Sequence, residues 1–194
     1  MSKGGIHIIA GIQGSGKGTI SKMLSKDFGI VWVCIGDIFR WHIKNKTKVA
    51  KELLTINSGN MVTNEITNNM ILNRLEMHDW DNDLILDGYP RNIEQVNFLL
   101  KNNDLRSRIK SVINIRIPDE LAIERIRHRS IVSGDAARAD DADTESIMKR
   151  ITVFHKETEP ALNAFNGFGL LHQVDNSGSI DIVYPQIKHI MGLH

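Results

Sequence analysis

Apolar positions in this chain fall into two alternating patterns. Short runs such as Ile6-His7-Ile8-Ile9-Ala10, Val31-Trp32-Val33-Cys34-Ile35 and Leu84-Ile85-Leu86 are nearly continuous. Runs of this length read as parallel strands covered on both faces. Residues 111–117, stopped by Pro118, and residues 170–174, stopped by Asp175, supply a fourth and a fifth. Helical spacing fills the gaps over residues 20–26, 37–55, 63–80, 92–101, 119–129, 144–166 and 180–191, with Thr63 and Asp119 placed as N-caps. Strand and helix in alternation predict a parallel α/β sheet, and such sheets collect ligands at the carboxyl ends of their strands.

Composition narrows the class without naming a chemistry. A chain of 194 residues, 41% hydrophobic and 24% charged, has the size and make-up of one soluble globular domain. A net charge of +1 gives no bulk electrostatic case for nucleic acid or membrane. No apolar run approaches a membrane span, and the N-terminal run is too short for a signal peptide. Cys34 is the only cysteine, which excludes an internal disulfide framework and a Cys-cluster zinc site and suits a reducing, cytoplasmic compartment.

The first strand run leads into Gly11-Ile12-Gln13-Gly14-Ser15-Gly16-Lys17-Gly18-Thr19, with Ile20, Met23 and Leu24 at helical spacing behind it. Glycines at this spacing let the backbone N–H groups turn inward on an anion together with the helix N-terminus. Lys17 would neutralise the β- and γ-phosphates of a nucleoside triphosphate. The plain alternative is a glycine-rich turn with a solvated lysine. One departure from the common phosphate-loop order is that Gly18 follows the lysine and the hydroxyl arrives at Thr19.

Two further strand ends carry chemistry-bearing residues. Gly36-Asp37 follows the second strand, with Arg40 one helical turn on; Asp37 alone could serve as a helix cap. Asp87-Gly88-Tyr89-Pro90-Arg91 follows the third, with Gln95 four residues beyond. An acidic residue closing an apolar strand beside a phosphate loop suits magnesium, held directly or through water, although Asp-Gly before proline also forms turns. Arginine offers a planar fork for phosphate, and a glutamine amide can read a base edge. Arg125, Arg127, Arg129, Arg138, Lys149 and Arg150 flank the small, polar stretch 130–137, as expected of an arginine-lined flap closing over phosphates.

Taken together, these motifs resemble the adenylate kinase and nucleoside monophosphate kinase family from Gly11 to about Asp181. The resemblance implies a three-layer α/β/α P-loop NTPase fold: a five-stranded parallel sheet, a helical monophosphate-binding insert at about 36–65, and a short lid at about 130–141. The core would then comprise 1–35, 66–129 and 142–194. It also implies transfer of the γ-phosphoryl of ATP to AMP with Mg2+, without structural zinc, by a cytoplasmic monomer. Carried over residue by residue, Gly14, Ser15, Gly16, Lys17, Gly18, Thr19, Arg125, Arg129 and Gly178 bind ATP. Ile35, Gly36, Arg40, Val62, Gly88, Arg91, Gln95, Arg138 and Arg150 bind AMP. Lys17, Arg91, Arg129, Arg138, Arg150 and Asp87 serve transfer, Thr19 and Asp87 lie toward the metal, Arg125 packs on the donor base, and Asp140 and Asp141 support the lid. The Tyr89-Pro90 bond would be cis.

Three residues depart from the family pattern. Gln13 stands for a proline, Ile20 for a glutamine, and Ile35 for a threonine whose hydroxyl meets the acceptor base. The 129–138 loop is also a few residues longer than in the short-lid type. Two alternatives accompany the AMP reading: UMP, CMP or GMP as acceptor, and a nucleotide-binding protein without catalysis.

Overall fold

The computed structural model describes residues 4–50, 63–77, 82–133 and 143–194; the expected site residues Val62, Arg138, Asp140 and Asp141 lie outside them. Strands β1 (Ile6–Gly11), β2 (Val31–Cys34), β3 (Leu84–Asp87), β4 (Ile109–Arg116) and β5 (Leu171–Asp175) form one sheet in the order β2-β3-β1-β4-β5. All its pairings are parallel, and β1 is the central strand, flanked by β3 and β4. The direction of strand addition reverses at β1, so the loop after it opens into the crevice where such sheets bind ligands.

Helices cover both faces. On one side Ile6, Ile8, Leu84, Leu86 and Val112 are buried with Ile71 and Leu75 of α3 (Asn64–Glu76) and Val96 and Leu99 of α4 (Ile93–Lys101). Here α2 (Ile35–Lys44) contributes Ile38 and Phe39. On the other, Ile9, Ile85, Ile113 and Ile115 pack on Ile20 and Leu24 of α1 (Lys17–Phe28) and on Val183 and Ile187 of α9 (Ile180–Met191). Neighbouring strand residues go to opposite clusters, as a period of two requires. A third cluster joins Ile12 of the loop to Ala122 and Ile126 of α6 (Asp119–Ser133) and to Ile147 and Ile151 of α7 (Thr144–Val153). The loop is therefore anchored from beneath.

Several boundaries differ from the sequence reading. Ile35 opens α2 and is not the last residue of β2. Asn102 caps an additional helix, α5 (Asn103–Arg108), through its side chain, a break that the apolar spacing does not show. Asp119 is the first residue of α6 and not its cap, and α6 runs to Ser133, into the expected lid. Thr63 holds the N-cap position of α3 without a side-chain capping bond. The expected helix 144–166 is interrupted: a π turn (Phe154–Thr158) precedes α8 (Glu159–Leu162) and a 3-10 turn (Asn163–Phe168). Pro160 explains this, since it lacks an N–H and its ring crowds the carbonyl four residues back, widening the ladder there.

Candidate functional site

The phosphate-type loop is shaped by close contacts. Gly14 has φ 86°, and a methyl built on it would lie 2.6 Å from the Ala122 carbonyl oxygen; at Gly16, φ 90°, one would lie 2.5 Å from Asn176 Nδ2. No side chain larger than hydrogen fits at either position. Asn176, buried directly after β5, donates from Nδ2 to the Ser15 carbonyl at 2.7 Å and ties the loop to the edge of the sheet. Its own backbone N–H donates to the Arg116 carbonyl at 2.9 Å. Lys17 donates to the Ile12 carbonyl at 3.3 Å, folding back across the loop. Helix α1 begins without a side-chain cap or an acidic residue in its first turn. Its first-turn N–H groups and the positive end of its dipole are therefore left open to an anion. Thr19 is exposed on that turn.

Asp87, the last residue of β3, stands beside this loop. Its Oδ2 accepts from Trp32 Nε1 at 3.2 Å, while its Oδ1 is buried without a hydrogen-bond partner among the described residues. A methyl built on Gly18 would lie 3.7 Å from the same Oδ2. Burial pushes the carboxyl above the ordinary carboxylate range, against the charge of Lys17, the Trp32 N–H and the charge of Arg91. An orphaned, desolvated carboxylate oxygen next to a lysine-bearing anion loop fits a magnesium ion or its water. Among the described residues no three His, Cys, Asp or Glu side chains converge to hold a metal alone.

The ends of β2 and β3 meet at Gly88. A methyl there would lie 3.3 Å from both Ile35 Cγ2 and Arg91 Nη2, so these two side chains face each other across the strand end. Arg91 is held along its length: Nε donates to the Gly88 carbonyl at 2.8 Å, its N–H donates to Gln95 Oε1 at 2.7 Å, and its carbonyl accepts from Thr158 Oγ1 at 2.6 Å. The Tyr89–Pro90 bond is cis. Arg40 lies over Gly36 and pairs with Asp37. Gln95 is buried, at 2% exposure, with its Nε2 donating to Asn64 Oδ1 at 3.0 Å. Its amide is thus engaged by the protein at both ends, more than its expected role as base reader suggests. Cys34 is half-buried and pairs in register with Asp87.

The arginines of the opposite rim are less gathered. Arg125 on α6 donates to the Asn176 carbonyl at 3.0 Å, which places its guanidinium against the loop that follows β5. Arg150 on α7 donates from Nε to the Ser146 carbonyl at 3.1 Å. Arg129 lies on α6, Gly178 just past β5, and Arg127 reaches Thr144 Oγ1 at 3.5 Å. Three residues that shape the site were not singled out from the sequence: Trp32, Asn176 and Asn64. Asn176 is the one with a local signal, standing in the turn-forming run Asp175-Asn176-Ser177-Gly178 directly after a strand.

A β2-β3-β1-β4-β5 parallel sheet with a glycine-lysine loop between its central strand and the following helix defines the P-loop class of nucleotide-binding proteins. A family model described as adenylate kinase matches residues 9–170. The adenylate kinase of Bifidobacterium longum is 38% identical over 182 residues, which is 93% of this chain and 96% of that protein. The adenylate kinase of Lachnoclostridium phytofermentans is 34% identical over 210 residues, 95% of this chain and 97% of the relative. That of Micrococcus luteus is 35% identical over 182 residues, 93% and 87% respectively. The chain belongs to the adenylate kinase family of ATP-dependent phosphotransferases. The Lachnoclostridium alignment is longer than the chain itself, so that relative carries residues this one lacks. No helix among the described residues is long and apolar enough to cross a membrane.

Proposed function

We propose that this protein transfers the γ-phosphoryl group of ATP to AMP, giving two ADP. The observation that carries the reading is the continuity of the crevice: the Lys17 loop, Asp87 beside Gly18, and Ile35 with Arg91 over Gly88 form one line along the carboxyl ends of β1, β3 and β2. That line has a donor-phosphate half and an acceptor half. The loop amides and Lys17 hold the donor phosphates, and Arg40 and Arg91 take the acceptor phosphate. Arg129, Arg138 and Arg150 reach the transferring group when the lid at about 130–141 closes over the insert at about 36–65, while Arg125 serves the donor base and Gln95 the acceptor base. Asp140 and Asp141 hold lid arginines. The reading includes a cytoplasmic monomer: the single cysteine suits a reducing compartment, and the resemblance implies the monomer.

Phosphoryl transfer asks for positioning and charge stabilisation more than covalent help, so arginines, a lysine and a cation suffice. Mg2+, when bound with ATP, supplies neutralisation of the phosphate charge; Asp87 and Thr19 would hold it with the nucleotide's oxygens and water. Closure of the lid excludes the water that would otherwise compete with AMP as acceptor. A coupled assay of ADP formation from ATP, AMP and Mg2+ tests the reading. Arg91→Ala is expected to lose most activity, on the order of a hundredfold or more, since a charge-assisted contact present at the transition state is removed. Phosphorylation of UMP, CMP or GMP in place of AMP would refute the acceptor assignment; no ADP with any monophosphate would refute catalysis.

A further inference from the structure

We propose that Asn64, in the first turn of α3, is a specificity-positioning residue that fixes which way round the Gln95 amide faces the acceptor base, selecting amino-substituted over oxo-substituted bases. The inference rests on the acceptor-site reading of Gln95 given above.

An amide can turn over by 180°, exchanging its donor and its acceptor, unless its partners forbid it. At this site every amide is locked by a group that cannot itself turn over. The backbone N–H of Arg91 donates to Gln95 Oε1, and the backbone N–H of Gln95 donates to Asn92 Oδ1 at 3.0 Å. With its oxygen so fixed, Asn92 turns its Nδ2 to Asn64 Oδ1 at 2.8 Å. On the other side Asn64 Nδ2 donates to the Glu94 carboxylate, which has only acceptors. Asn64 Oδ1 is therefore pinned as the acceptor that Gln95 Nε2 meets. Reversing Gln95 would set N–H against N–H at Arg91 and oxygen against oxygen at Asn64.

What remains of the Gln95 amide is one N–H and one lone pair, in fixed order. A base that presents an exocyclic amino donor beside a ring-nitrogen acceptor, as adenine and cytosine do, matches one order. A base with a carbonyl acceptor beside a ring N–H, as guanine and uracil have, needs the reverse. A buried polar group left mismatched is what allows a site to reject the wrong base.

The test compares the parent chain with Asn64→Leu and with Asn64→Asp combined with Glu94→Gln. Asn64 is half-buried and lines an open groove of about 520 Å³ between α3 and α4, so leucine meets no packed wall there. Asn64→Leu removes the acceptor and is expected to reduce the preference for AMP over GMP and UMP, measured as kcat/KM ratios, about tenfold, the equivalent of one buried hydrogen bond. The KM for ATP stays unchanged. Asn64→Asp combined with Glu94→Gln keeps an acceptor oxygen for both amides and a donor opposite it at position 94, and is expected to restore most of the preference that Asn64→Leu loses; a ratio as low as that of Asn64→Leu would overturn the proposal. In a Gln95→Leu background Asn64→Leu has no further effect on the ratio. Side-chain amide NMR of Gln95, assigned by its loss in Gln95→Leu, reads the bracket without substrate: a shift in Asn64→Leu supports it, and an unmoved signal overturns it. A parent that phosphorylates AMP while Asn64→Leu keeps the full preference overturns only this proposal. A parent that phosphorylates no monophosphate overturns the functional reading, and this selectivity with it.

Discussion

Replacing Asn176 by alanine isolates how the phosphate-type loop is held. Asn176 touches the loop through one side-chain bond, Nδ2 to the Ser15 carbonyl at 2.7 Å; its remaining bonds, to Arg116 and from Arg125, use its backbone and survive the substitution. Asn176 is 4% exposed and Ser15 is fully buried, so water does not replace the lost donor. A buried carbonyl left unpaired costs about 1–3 kcal/mol. The fold should lose that amount in equilibrium urea denaturation, and the KM for ATP should rise severalfold, because the loop amides are no longer pre-organised. The KM for AMP should not move, since Arg40 is held within α2 and Arg91 at the end of β3. The Gly16→Ala variant adds a control. Its methyl would sit 2.5 Å from Asn176 Nδ2, so combining it with Asn176→Ala relieves the clash and leaves only the cost of φ 90°, about 1–2 kcal/mol. Stability of Asn176→Ala within about 0.5 kcal/mol of the parent, as for a neutral surface change, together with an unchanged KM for ATP, would refute the reasoning.

Asp87→Asn should raise the urea midpoint at pH 7 while activity falls. Burial lifts the folded carboxyl above its unfolded value, so its ionisation destabilises the fold as pH rises through that interval; a lower midpoint for the variant would contradict this. His155 is bonded by Asp119 at Nε2, 2.9 Å, and by Glu159 at Nδ1, 3.0 Å, and these carboxylates raise its pKa. The stabilisation of the charged form is complete below about pH 6.5, the unfolded value, and is lost as pH rises through the folded value. With the ring 44% exposed the effect is below about 1 kcal/mol. Parent and His155→Gln should therefore differ in urea midpoint at pH 5.5 and converge at pH 9; a constant gap would refute it. Ile35→Thr should lower the KM for AMP, while losing a terminal methyl and setting a hydroxyl in place of a buried methylene costs the fold about 2–3 kcal/mol. An unchanged KM would remove position 35 from acceptor selection.

Much of the architecture was legible along the chain, because its signals are local. Buried parallel strands must be apolar on both faces, so the runs at Ile8-Ile9, Val33 and Leu84-Ile85-Leu86 declared themselves. Glycines packed against a carbonyl or a side-chain nitrogen cannot carry a Cβ, so Gly14 and Gly16 stand out in composition before their contacts are known. Helix α9 matched its spacing, Ile180 to Met191, with Val183, Ile187 and Met191 buried along one face even though Pro185 lies inside it. Where the reading slipped, the cause was a single residue acting through geometry: Pro160 widening the ladder before α8, or Asn102 capping an unannounced helix.

The sheet class, the glycine-lysine loop and the three strand ends where charged residues gather can be read along the chain, since each follows from a period or a short spacing. What surrounds those residues follows from the way the chain folds back on itself. Asn176 lies 161 positions from the loop carbonyl it holds, Trp32 lies 55 from Asp87, and Asn64 lies 31 from Gln95. Such pairings have no period to betray them. They exist because a parallel sheet, whose crossovers return every strand in the same direction, brings all carboxyl ends to one edge. At that edge an ordinary asparagine becomes a brace, and a glutamine expected to meet only a base acquires a fixed face.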